Sequence, residues 1–142
     1  MTNTTYITKL QNDLEFGNTA ELSVQQKFES HFNCSLTRTR PTHLFDFINE
    51  EEKIIIELKT RRNTKHKYDT TMVGYNKIIE AQRLKQEGWS VYFTFNFTDA
   101  LCFYDYNTTD ESWKKEGGRK DRGRPEYKQY YYIPVNLLHT IS

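Results

Sequence analysis

Three residues in this chain have the types and spacing for metal-assisted chemistry. Asp46 precedes Glu57, and Lys59 stands two residues beyond Glu57 in the run Ile54-Ile55-Ile56-Glu57-Leu58-Lys59. A turn centred on Glu50-Glu51 would pair Ile48 with Lys53, Asp46 with Ile55 and Leu44 with Glu57. Side chains alternate along a strand, so Asp46, Ile55, Glu57 and Lys59 then project from one face. Asp46 and Glu57 become diagonal neighbours, with Cα atoms about 7–8 Å apart. Two carboxylates at that reach can converge on Mg²⁺, which prefers oxygen ligands and takes one or two carboxylates beside its waters. Lys59 lies roughly 7 Å further along the same face. There it can hold a phosphate oxygen or orient a water, while the cation acidifies that water. The set suits hydrolysis of a phosphodiester.

The strand itself argues that these charges have a purpose. Ile54, Ile55, Ile56 and Leu58 make it apolar on both faces, so both faces are expected to be covered, and charge on a covered strand is costly unless paired or metal-bound. The plainer alternative is a surface hairpin with a solvated Glu57–Lys59 pair. Around this strand the pattern predicts a helix over 18–32, strands over 35–40, 42–48 and 53–60, and a basic loop over 61–71. A second helix over 73–87 is stopped by Gly88, followed by a hairpin of strands 89–97 and 101–106 and a last strand over 130–135. That order describes a mixed α/β layer fold. Residues 1–17 read as an N-terminal arm and 18–142 as one domain. Trp113 to Lys128, with three glycines, a proline and many Lys and Arg, reads as a mobile basic loop.

Two helical residues extend the candidate site. Glu21 falls inside the apolar stripe of Ala20, Val24, Phe28 and Phe32. It either closes a capping box with Asn18 or is delivered to the metal site. Gln82 falls among Tyr75, Ile78 and Ile79 on the second helix. It either bonds a backbone group in the core or faces the site. Lys77 points elsewhere on that helix and is expected to be solvated.

Asp46, Glu57, Leu58 and Lys59, on a strand-turn-strand between two helices, resemble the PD-(D/E)XK nuclease superfamily over roughly residues 18–96. Phe45 stands where the motif's name has Pro. The resemblance implies a restriction endonuclease-like fold, a mixed central sheet with flanking helices built as an αβββαβ core plus extra C-terminal strands. It implies that Asp46, Glu57 and the Leu58 carbonyl bind Mg²⁺, with Mn²⁺ substituting, and that Lys59 serves the attacking water. It gives Glu21 and Gln82 auxiliary roles, since many members carry an acid on the first helix and some exonucleases a Gln on the second. DNA is the implied substrate, in recombination or repair, with an endonuclease favoured, and resemblance to the small resolvases implies a homodimer. A nucleic-acid-binding module that has lost catalysis is the rival function.

Net charge is +1, so there is no global basic signal. The charge is nevertheless zoned: residues 61–100 and 114–142 are net basic. Candidate phosphate contacts are Arg38 and Arg40 on one strand face, then Arg61, Arg62, Lys65 and Lys67 after the active strand. Lys115, Arg119, Lys120, Arg122 and Arg124 follow in the Gly-rich segment. A solvated loop is the alternative for that segment. Cys34 and Cys102 form no C-x-x-C unit and the four histidines are scattered, which argues against structural zinc. There is no signal-peptide core and no run of ~20 apolar residues. The expectation is an intracellular protein, of the cytoplasm or nucleus or a viral or phage protein in a host cell, that neither enters a membrane nor is secreted.

Overall fold

The isoleucine run builds the centre of the larger sheet. In the computed structural model, residues 22–39, 43–108, 114–119 and 126–142 are described, the stretches 114–119 and 126–129 by their backbone alone. The chain divides into two compact units, residues 1–36 and residues 37–142. In the first, residues 22–32 are helical (α1), with Val24 and Phe28 buried. After α1, Asn33 takes a left-handed φ of 54°. The Leu36 amide donates to the Glu29 carboxylate at 2.8 Å, and Gln25 Nε2 donates to the Leu36 carbonyl at 2.7 Å. The proposed cap at Asn18 and the arm 1–17 lie outside the described residues.

The second unit carries two sheets. Its strands are β1 (Thr37–Arg38), β2 (Phe47–Asn49), β3 (Ile54–Thr60), β4 (Thr70–Gly74), β5 (Ser90–Asn96), β6 (Leu101–Asp105), β7 (Lys114–Arg119), β8 (Glu126–Pro134) and β9 (His139–Thr140). Helix α2 (Tyr75–Gln86) joins β4 to β5. The larger sheet runs β1-β2-β3-β5-β6-β9 and the smaller β4-β8-β7. β3 and β5 are parallel, whereas their outer neighbours β2 and β6 are antiparallel to them, so the sheet is mixed. Parallel neighbours need a crossover, and α2 lies on it.

β3 is covered on both faces, as its composition predicts: the consecutive residues Ile55, Ile56 and Glu57 are all at most 2% exposed. Ile55, Val91, Phe93 and Phe95 from the larger sheet share one apolar cluster with Ile78, Ala81 and Leu84 of α2 and with Val73, Tyr131 and Ile133 of the smaller sheet. The rings of Phe45 and Phe93 meet at 6.3 Å between centroids. The β5–β6 hairpin turns where the sequence places it, with the Phe97 amide donating to the Ala100 carbonyl at 2.8 Å.

Three expectations change. The segment read as a loop before α2 ends in a strand, β4, which pairs with the tyrosine-rich β8 from Thr70–Pro134 to Gly74–Tyr130. Within the supposed loop 113–128, residues 114–119 and 126–128 pair as antiparallel strands, and 113 and 120–125 lie outside the described residues. Backbone pairing with β8, which β4 holds on its other edge, outweighs the local weakness of Gly117-Gly118 as strand formers. The strands expected over 35–40 and 42–48 shrink to two and three residues.

Helix α2 ends as predicted. Gly88 has φ +90°, the Trp89 amide reaches back to the Leu84 carbonyl at 3.0 Å, and Lys53 Nζ donates to the Glu87 carbonyl at 3.1 Å. A Cβ at Gly88 would meet Lys53 Nζ at 3.9 Å, an ordinary contact, so the cost of a side chain there is conformational. Gly88→Ala should destabilise the protein by about 1 kcal/mol in urea unfolding, because a left-handed L-residue costs about that much; an unchanged midpoint would contradict this reading of the cap.

Candidate active site

The turn between β2 and β3 sets the site. Asn49 pairs with Ile54, Ile48 with Ile55 and Phe47 with Ile56, two residues away from the pairing read from the sequence. The turn residues are 50–53, and Lys53 adopts a left-handed φ of 54° while Asn49 Oδ1 accepts the Glu52 amide at 2.9 Å. A slip of two keeps every side chain on its face, where a slip of one would have inverted them. Continued by one step, the observed register brings Asp46 level with Glu57, so the diagonal neighbours become facing ones.

Asp46 is held by both strands beside it. Its amide donates to the Ile56 carbonyl and its carbonyl accepts the Thr39 amide, each at 2.9 Å. β2 begins only at Phe47, and Asp46 Oδ2 accepts the Leu58 amide at 2.7 Å. The side chain thus continues the ladder where the strand has not begun. Asp46 itself is exposed.

Glu57 is 2% exposed. Lys59 Nζ lies 3.4 Å from its Oε1, and Lys77 Nζ donates to that same oxygen. Oε2 is buried with no hydrogen-bond partner among the described residues. The backbone of Glu57 is pinned from the other side, since Thr94 Oγ1 donates to its carbonyl at 2.7 Å. Burial pushes the Glu57 carboxyl above its ordinary value; the hydrogen bond from Lys77 opposes this, and the neighbouring Asp46 charge adds to it. Burial pushes the Lys59 ammonium below its ordinary value, against the attraction of Glu57.

Lys77 is the residue that sequence reasoning missed. Its side chain is 17% exposed and not solvated as expected. The expected apolar stripe of α2 was Tyr75, Ile78, Ile79 and Gln82; the buried one is Ile78, Ala81 and Leu84, and Ile79 is 44% exposed. Lys77 precedes Ala81 by four residues and shares its side of the helix. The spacing Lys77–Ala81–Leu84 was the available signal. Gln82 is half-buried, stands ~140° around the helix from Lys77, and makes none of the contacts that hold Glu57.

The remaining candidates are dispersed. Glu21, Arg40, Lys120, Arg122 and Arg124 lie outside the described residues, and Lys115 and Arg119 are located on β7 by backbone alone. Arg38 is exposed on β1, as are Arg62 and Lys67 beyond β3. Arg61 is half-buried: its Nη2 donates to the Met72 carbonyl at 2.6 Å, its guanidinium lies 5.8 Å from the Phe95 ring centroid, and its Nε is a buried donor with no partner among the described residues.

Among the described residues there is no group of three or more His, Cys, Asp or Glu that could hold a metal ion. Asp46 and Glu57 nevertheless fit Mg²⁺, which takes one or two carboxylates and keeps several waters, and Glu57 Oε2 is an acidic oxygen without a partner among the described residues.

A mixed sheet that presents Asp, Glu and Lys from adjoining strands, beneath a crossover helix, is compatible with the restriction endonuclease-like fold. The chain matches the family model described as "Phage putative PDDEXK endonuclease" over residues 8–141, and it belongs to that family within the PD-(D/E)XK nuclease superfamily. Comparison with curated proteins and with solved structures gives no match. The family implies a nucleic-acid substrate, and nucleases of this kind generally use divalent metals. No helix among the described residues is long and apolar enough to cross a membrane.

The buried carboxyl has a signature in stability. Its folded pKa is raised, so its contribution is complete below the ordinary Glu value and is lost as pH rises through the folded value. In EDTA, the stability of Glu57→Gln relative to wild type should therefore rise as pH climbs above the ordinary Glu value. Denaturant titrations of the two proteins check this; a difference constant with pH would contradict it.

Proposed function

We propose that the chain is a divalent-metal-dependent deoxyribonuclease that cuts phosphodiester bonds as an endonuclease. The observation that carries this reading is the buried Oε2 of Glu57, without a partner among the described residues, beside the facing Asp46. The two carboxylates, with the Leu58 carbonyl between them, would hold Mg²⁺ or Mn²⁺. Bound there, the ion would acidify a water and offset charge on the phosphate oxygens. Lys77 occupies Oε1 and restrains Glu57, leaving Oε2 for a ligand. Lys59 is more exposed than Lys77, 37% against 17% by side chain, and is the ammonium available to a phosphate oxygen or an attacking water. Its lowered proton affinity suits exchange of a proton with that water. Glu21 and Gln82 stand as auxiliaries on sequence reasoning alone. The basic residues Arg38, Arg40, Arg61, Arg62, Lys65, Lys67, Lys115, Arg119, Lys120, Arg122 and Arg124 would engage phosphates without reading sequence. A homodimer would set two sites against two strands, and the phage family supports action inside a host cell.

A second reading has its own observation: Lys59 and Lys77 already neutralise Glu57, so the carboxylate is compensated without a cation. On that reading the domain binds nucleic acid and does not cut it.

Plasmid, linear and branched DNA incubated with Mg²⁺, Mn²⁺ or EDTA separate the two. The nuclease reading expects cleavage with metal and none in EDTA. Lys59→Ala should slow cleavage at least roughly a hundredfold, the scale of losing one charge-stabilising donor, and Glu57→Ala should fall to background. Cleavage that survives Glu57→Ala, or salt-sensitive binding without cleavage in any metal, would sink it.

A further inference from the structure

We propose that a pocket beyond Lys59 is a subsite for one unpaired nucleotide of the substrate strand, a reading that rests on the nuclease assignment. The pocket, of about 150 Å³, is lined by Arg61, Asn63, Lys65, Tyr68, Met72 and Phe97 among others, with no Asp or Glu among the described residues of its lining.

Its position follows from the strand. Arg61 continues β3, its amide donating to the Asn96 carbonyl at 2.9 Å, so Glu57, Lys59 and Arg61 succeed one another on one face in steps of about 7 Å. The Arg61 guanidinium lies over Phe95, the residue paired with Lys59, which agrees with that face. The pocket thus opens one step past the lysine that would meet the scissile phosphate.

Its walls are tied in place. The Thr98 amide donates to the Asn63 carbonyl at 3.1 Å, the Lys65 amide to Asp99 Oδ1 at 2.8 Å, and Arg61 Nη2 to the Met72 carbonyl at 2.6 Å. Three features then specify the ligand. Arg61 and Lys65 are positive, and Arg61 Nε is a buried donor without a partner among the described residues, which favours a phosphate or another acceptor. Tyr68 is 58% exposed, an aromatic platform of the kind on which bases stack; Lys67 Nζ lies over it at 5.5 Å. The volume matches a single ring, since a cavity of ~150 Å³ takes one benzene. A paired base is stacked on its own strand and reaches such a platform only after it is extruded. The subsite therefore selects a strand that is single or locally opened beside the cut.

The test is equilibrium binding by fluorescence anisotropy with the full chain in EDTA, using a short single-stranded DNA oligonucleotide and its blunt duplex as probes. Tyr68→Ala should weaken single-strand binding about tenfold, within the range for loss of one stacked base, and leave duplex binding unchanged. Tyr68→Phe, which keeps the ring, should bind as wild type does. The exposure of Tyr68 makes both variants foldable, and circular dichroism verifies it. Equal loss on both probes, no loss with alanine, or the same loss with phenylalanine would overturn the subsite. Cleavage does not enter this readout. Failure here leaves the nuclease reading standing, and a wild-type protein that shows the Tyr68 effect but never cuts would refute the nuclease reading alone.

Discussion

A carboxylate within a folded sheet keeps its charge only if neighbouring groups replace the water it has lost. Glu57 imposes that requirement here. It sits on the covered central strand at 2% exposure, and two ammonium groups reach one of its oxygens, from Lys59 on the same strand and from Lys77 on the crossover helix. The parallel pairing of β3 with β5 demands a crossover, the crossover carries α2, and α2 delivers Lys77. Topology and electrostatics are therefore one problem with one solution.

Asp46 solves a smaller problem in the same place. β2 starts at Phe47, and Asp46 Oδ2 takes the Leu58 amide. Its carboxylate is oriented by the backbone of the strand that carries Glu57 and Lys59. Asp46, Glu57, Lys59 and Lys77 then balance two negative charges against two positive ones, with one buried oxygen of Glu57 left unsatisfied among the described residues. Such an orphan is uncommon among buried polar groups and calls for a ligand or a strain account. The family of phage PDDEXK endonucleases to which the chain belongs favours the ligand.

What could be read from the sequence was whatever depends on near neighbours. Ile54-Ile55-Ile56 marked the covered strand, Gly88 the end of α2, and Thr98-Asp99-Ala100 the β5–β6 turn. The Asp46–Glu57–Lys59 face was legible too, and it survived a register error because the error was two residues. That error arose from Lys53, whose left-handed backbone puts it in the turn and moves the turn from 49–52 to 50–53, which composition does not announce. Features set by distant partners stayed hidden. β4 depends on β8, a strand far away in the chain, and β7, which pairs with its neighbour β8, has glycines and charges that read locally as loop. Lys77 was hidden for a related reason: Ile79 drew the apolar stripe of α2 toward itself, yet it is 44% exposed, and the true stripe through Ala81 places Lys77 against Glu57.

The account stands on Asp46 and Glu57 holding a divalent cation, which can be measured without any substrate. Isothermal titration of Mn²⁺ into the metal-free protein near neutral pH, repeated with Asp46→Asn and Glu57→Gln, is the most direct measurement. The prediction is saturable binding by wild type that both substitutions abolish or weaken by at least tenfold, with circular dichroism showing the fold retained. Binding of equal strength in all three proteins, or none in wild type, would contradict it.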